Sequence, residues 1–525
     1  MLTRKRIILT VLFSALAVRM IFAAAFFQSF FASYHLIPGL DMQTLLRFSE
    51  WHTGNEIPPF FTFHRLWIFL VWFFNGKTHC PEAIYLIQTL LGSIGTLAAA
   101  DLVLKFSRNR IAALISGIGM ALYLPLLVYE FSILQETFMV NFALIFFWTA
   151  HYALRKRFSL RSSAIFAISA FAALAGRPAA VIFCGTIFIY CGIKLFKRKI
   201  LKKIIPAAAM LFILLGGSAL FNWHFFGVPT PFYMVMDYTV EYNTGIKAGT
   251  DGNRTFSAVF ESGKNACMRL PQLFKTGELP ENQNIYFWCE KIPQFNLLIS
   301  PGLLIPCAVA GIMVLLLTGA WKSRYGLLLI PIVTLALPLC AREVIGRYRL
   351  MLVPYFFMLA ACGAVVFSRL KSPRKRALAL FGAGIGALFS LHNGGVPEKI
   401  RLSDYAASAI AAAQTPDADP ETVIAEHLIY WEKSNCSSQA AFDMLMDQLL
   451  RFKQTELLRQ IAIPALDNGK IVPDTIFYFA AWSYALENQP QKVWENLCKI
   501  RKLPPDKRQK AIMLLNDTKK ILNNR

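Results

Sequence analysis

The chain has 525 residues, 56% of them hydrophobic, and 54 Lys and Arg against 31 Asp and Glu give a net charge of +23. A soluble enzyme of this length does not carry so many long apolar runs. Nucleic-acid binding is disfavoured as the source of the charge, because the basic residues lie in short loops between apolar segments. Six clusters, at 1–6, 104–110, 154–161, 193–203, 321–324 and 369–376, hold 23 Lys and Arg and no acid, and the rest of the chain balances at 31 against 31. That sorting is the positive-inside pattern of a multi-spanning membrane protein.

In chain order, the first apolar run from Ile7 to Phe27 is longer than a signal-peptide core, so it is expected to be a retained span. With the basic clusters inside, the spacing predicts about eleven transmembrane helices: 7–27, 83–103, 111–128, 137–153, 162–176, 179–193, 204–222, 298–320, 325–341, 350–368 and 377–393. Alternation then places the N-terminus in the cytoplasm and the C-terminus outside. Residues 1–395 form the membrane domain, with long outer loops at 28–82 and 223–297. The first loop holds an amphipathic stretch from Asp41 to His52, and Gly176-Arg177-Pro178 forms a tight outer turn.

Beyond Gly395 the long apolar runs stop. Residues 396–525 show helical spacing of apolar positions, as in Phe442, Leu445, Leu449 and Leu450, and predict a soluble outer helical domain. The segment 477–500 reads as one tetratricopeptide-type hairpin, without a clear second copy at a fixed period. The fold class is therefore an all-α polytopic membrane protein with a C-terminal soluble helical domain. The ten Cys contain no CxxC pair and no zinc spacing.

Charged residues near the outer ends of spans are costly unless they meet water or a partner. Here they co-locate: Asp41, His64, Glu130, Glu136, Arg177, and Arg342, Glu343, Arg347 and Arg349. An aspartate can take a hydroxyl proton, and arginines can hold a phosphate bidentately. Each residue also has a plainer role: Asp41 as a helix N-cap, Arg177 as an interface anchor, His64 as a packing residue, the glutamates as loop carboxylates. Their convergence at one face favours a reaction on a phosphorylated lipid.

The order of motifs resembles the GT-C membrane glycosyltransferases that use polyprenyl-phosphate sugars, the protein-mannosyltransferase and aminoarabinose-transferase group. The likeness covers about residues 1–395. It rests on LDMQTLLRFSEW around Asp41, FHRLWIFLVWFFNG from Phe63, ISGIGMALYLPLLVYEFSILQETF ahead of the next span, AALAGRP, FNWHFFGVPTP and GRYRLMLVPYFFMLAACG. The resemblance implies inverting transfer of a sugar from a polyprenyl-phosphate donor to an acceptor hydroxyl on a glycan, lipid or protein. Asp41 would be the general base, Arg177, Arg347 and Arg349 would hold the lipid phosphate, and His64, Glu136 and Glu130 would orient substrate. It fixes no cofactor and admits a divalent metal. It also implies a cell inner membrane location. The competing expectations are a transporter or flippase of lipid-linked saccharide, which predicts polar residues at the bilayer midplane, and a non-catalytic scaffold whose outer domain recruits partners.

Overall fold

The structure is a computed structural model, and it describes residues 3–38, 40–50, 65–176, 180–226, 264, 268–278, 280, 283–342, 346–392, 399–467 and 469–523. Among these residues the architecture is helical. The sole β-like feature is an isolated bridge between Tyr123 and Ile299. Five helices are long and apolar enough to cross a membrane: Arg4–Phe27, Glu82–Ser107, Glu136–Arg155, Leu201–Leu220 and Gly346–Ser368. Arg110–Ala121, Leu160–Gly176, Pro301–Leu317 and Arg324–Ala336 are apolar but shorter. The chain divides into two compact units, one of Met1–Ala25 and Gly39–Lys399, the other of Phe26–Pro38 and Ile400–Arg525.

In the first unit, side chains cannot be driven together by water once the outer surface faces hydrocarbon, so close backbone approach and internal polar contacts carry the packing. Pro301–Leu317 crosses Val353–Ser368 at Gly311 and Gly363, where the two backbones touch; a Cβ on Gly311 would stand 2.5 Å from the Leu359 carbonyl oxygen. Basic loops turn through left-handed residues, Arg108 (φ 54°), Arg157 (φ 52°) and Lys199 (φ 58°). Asn109 then caps the next helix by accepting from the Ala112 N–H at 3.0 Å. Near the same end of the bundle the buried Asp101 accepts from Arg4 Nη2 at 2.8 Å and Trp148 Nε1 at 2.8 Å, and pairs with Lys105 Nζ at 2.6 Å. One carboxylate thus ties three helices together.

One expected span is not a single helix. The run 111–128 stops at Ala121 and restarts at Leu124. Pro125 lies in the first turn of the restarted helix, where its missing N–H costs least. The break is filled by backbone bonds to another segment, Leu124 N–H to Ile299 O at 3.0 Å and Ile299 N–H to Leu122 O at 2.9 Å.

The second unit contains a 3-10 helix, Phe30–Leu36, and seven α-helices: Leu402–Gln414, Pro420–Lys433, Gln439–Arg451, Thr455–Asp467, Pro473–Leu486, Pro490–Leu497 and Pro505–Asn523. They form three consecutive helix pairs and a final helix, with short turns through Lys453, Asn488 and Gly469 in left-handed conformation. The second helix of each pair begins at Pro420, Thr455 and Pro490, 35 residues apart. That spacing is close to the period of about 34 residues in tetratricopeptide repeats, and it extends the single hairpin visible in the sequence. Phe442, Leu445 and Leu449 are fully buried, with Phe442 between Trp431 at 5.5 Å and Phe479 at 6.1 Å; Leu450 is half-buried. The unit comprises Ile400–Arg525 and Phe26–Pro38, of which the sequence pattern assigns 26–27 to the first span and 28–38 to the first outer loop.

Candidate functional site

Asp41 is the first residue of the helix Asp41–Glu50. Its neighbours Met42 and Leu46 are buried and seat the helix, which leaves the Asp41 carboxylate half-exposed. Arg347 sits on the four-residue helical turn Gly346–Arg349, which leads into Val353–Ser368. Its Nη1 donates to Asp41 Oδ2 at 2.7 Å, its Nε lies 3.8 Å from Glu136 Oε1, and its Nη2 donates to the Tyr348 hydroxyl at 3.2 Å. Glu136 opens Glu136–Arg155 and is 1% exposed, so its charge lies at a helix N-terminus, where the backbone dipole favours an anion. One guanidinium therefore stands between two carboxylates drawn from distant parts of the chain.

Arg349 turns the other way. It is buried, its Nη2 lies 2.7 Å from Glu278 Oε1, and it donates to the carbonyl oxygens of Lys275 and, at 3.2 Å, of Gly277. It fastens residues 275–278 to the bundle and does not meet Asp41. Glu278 is a functional candidate that sequence reasoning missed; its buried carboxylate within a polar loop carries no spacing signal. Its N–H donates to the Tyr286 hydroxyl at 2.9 Å, and burial raises the Tyr286 pKa above the ordinary tyrosine value. A shallow cleft beside this pair is lined by Tyr129, Glu278, Asn284, Tyr286 and Gly346. Gln283 links this loop to the Asp41 helix through Met42 Sδ at 3.8 Å, and accepts from Trp288 Nε1 at 3.0 Å.

Glu130 lies in the interior. Its two oxygens accept from Arg19 Nε and Nη2, each at 2.6 Å, and both residues are essentially inaccessible. Arg19 reads in the sequence as lying near a span end, and its partner lies 111 residues away in the interior. His64 and Arg177 lie outside the described residues, as does Glu343. The structure thus brings Asp41, Glu136 and Arg347 together and sets Glu130 and Arg349 in separate pairs.

Among the described residues no group of three or more His, Cys, Asp and Glu could hold a metal ion. No protein-family model matches the chain, and no curated protein matches it.

Proposed function

We propose that this protein is a GT-C-type membrane glycosyltransferase, moving a sugar from a polyprenyl-phosphate donor to an acceptor hydroxyl with inversion. The observation that carries the reading is Arg347, held 2.7 Å from Asp41 and 3.8 Å from Glu136 at one end of the helices. In this reading Asp41 takes the proton of the acceptor hydroxyl, and the hydroxyl oxygen attacks the anomeric carbon. The bond from that carbon to the phosphate oxygen breaks, and the lipid phosphate leaves with the electron pair. Arg347 exchanges a carboxylate for the departing phosphate, matching its charge with a planar fork of donors. Arg349 supports this site by fixing residues 275–278, and Arg177 remains a second candidate phosphate ligand.

The same proposal includes about eleven spans in a bacterial-type inner membrane, with the N-terminus cytoplasmic and the helical array of residues 400–525 outside. The array would receive the acceptor or a partner protein. The shorter helices reach the interfaces with help from flanking Arg, Lys and Trp side chains. The decisive experiment reconstitutes the purified chain in liposomes with polyprenyl-phosphate sugars and measures transfer. No transfer from any such donor by the native protein rejects the class, and full transfer by Asp41→Asn rejects the base.

A further inference from the structure

We infer that Arg19 is a positioning residue: with Glu130 it forms a buried bidentate pair, seated over Gly92, that sets the register of the turn carrying Glu136 and thereby holds Arg347 opposite Asp41. Its consequence for sugar transfer rests on the glycosyltransferase reading; its structural part does not.

A lone arginine inside an apolar span is expensive, and a bidentate carboxylate is the geometry that best compensates it. Here Arg19 is 0% and Glu130 1% exposed, with both oxygens engaged at 2.6 Å and Arg19 Nη1 also donating to Ala15 O at 3.2 Å. The space for this pair comes from the facing helix: a methyl on Gly92 would overlap the Glu130 carboxylate and stand 2.8 Å from Arg19 Nη2.

Glu130 is the last residue of Leu124–Glu130, and Glu136 is the first of Glu136–Arg155. The turn between them has no room to drift. Phe131, Ser132, Ile133 and Leu134 are all buried. Gln88, one helical turn from Gly92, donates to the carbonyls of Ser132 at 3.1 Å and Leu134 at 2.9 Å. Thr137 Oγ1 donates back to Tyr129 O at 3.1 Å. A shift of Glu130 must therefore move the turn as a unit, and Glu136 with it. Because Glu136 faces Arg347 Nε at 3.8 Å, the displacement reaches the guanidinium.

The test reads Arg347 directly. The purified full-length protein is treated with phenylglyoxal, and the rate of modification at Arg347 is followed by peptide mass spectrometry. Gly92→Ala and the volume-preserving Glu130→Gln are compared with Asp101→Asn, which perturbs a buried pair at the opposite end of the Gly92 helix. The expected result is a several-fold faster reaction at Arg347 in the first two, with the native rate in Asp101→Asn at comparable loss of thermal stability. Glu130→Gln decides the matter should Gly92→Ala fail to accumulate. An unchanged Arg347 rate in folded Glu130→Gln, or an equal rise in Asp101→Asn, overturns the inference. A dodecyl phosphate binding titration runs alongside. Native protein that does not bind this probe counts against the glycosyltransferase reading alone, whereas binding weakened in Glu130→Gln but not weakened further when Arg347→Lys is added supports both.

Discussion

Arg347 reaches Asp41 across 306 residues of sequence, at 2.7 Å, while keeping Glu136 within 3.8 Å. A guanidinium so placed is already oriented by two anions. In the proposed transfer, Asp41→Asn keeps the shape and the hydrogen bond but removes the base. Transfer is expected to fall by about 10²- to 10⁴-fold with little change in lipid-phosphate affinity. Single-turnover kinetics with separate binding measurements check the split.

Arg347→Lys replaces a planar fork by a point charge. Loss of one charge-assisted bond of about 1.5–3 kcal/mol is expected to weaken the proposed lipid-phosphate binding roughly ten- to a hundredfold. A titration with a short polyprenyl phosphate measures it. Arg349→Lys is expected to act differently, by loosening residues 275–278; limited proteolysis within that loop should rise.

Gly311 allows two helices to meet backbone to backbone. Gly311→Leu forces side-chain atoms into the Leu359 carbonyl and the backbone of Val353–Ser368. The cost is at least about 1–3 kcal/mol, seen as a lower melting temperature and poor recovery from the membrane. Gly216→Leu, where a Cβ meets nothing within 4 Å, should leave both unchanged.

The second unit carries a pH-sensitive element. His427 is buried, its Nδ1 lies 2.8 Å from Val423 O, and burial lowers its pKa below 6.5 despite opposing contributions from Val423 O and Glu426. A histidine held neutral in the folded state binds fewer protons than it does unfolded. Its stabilising contribution is therefore complete above about pH 6.5 and falls as the pH drops through that value toward the folded-state pKa. Thermal melts between pH 7.5 and 5 should show this decline, and His427→Gln should flatten it.

Orientation can be read from native thiols. Cys80 and Cys498 are exposed and both fall on the outer side of the proposed topology. An impermeant maleimide applied to intact cells should label both, as identified by mass spectrometry. Labelling only after the membrane is opened would reverse the topology.

What the sequence made legible follows from its physics. Apolar run length is a local property, so the helical segments could be located. Pairings are not local. Nothing in the sequence joined Arg19 to Glu130, since a carboxylate at the end of a short helix looks like any loop residue. The same holds for Glu278 opposite Arg349. Asp41, Glu136 and Arg347 could be grouped because Asp41 opens an amphipathic outer-loop helix and Glu136 and Arg347 sit at span ends. The 35-residue spacing of the helical array was hidden because small and apolar residues at its contacts are interchangeable, and the turn residues Lys453 and Asn488 share conformation rather than identity. The break at Leu122 has a local signal in Pro125, but the bonds that fill it come from Ile299, which nothing in 111–128 encodes.

The short helix Phe30–Leu36 has a consequence for synthesis. Ser33 bonds Thr415 at 2.9 Å across 382 residues, and Phe31 and Tyr34 are buried within the same unit. At about 5–20 residues per second, the ribosome completes that unit on the order of tens of seconds after residues 30–36 emerge. Throughout that interval two aromatic rings wait without their cover. A chain released before residue 402 lacks the helix Leu402–Gln414 that carries the start of this partner surface.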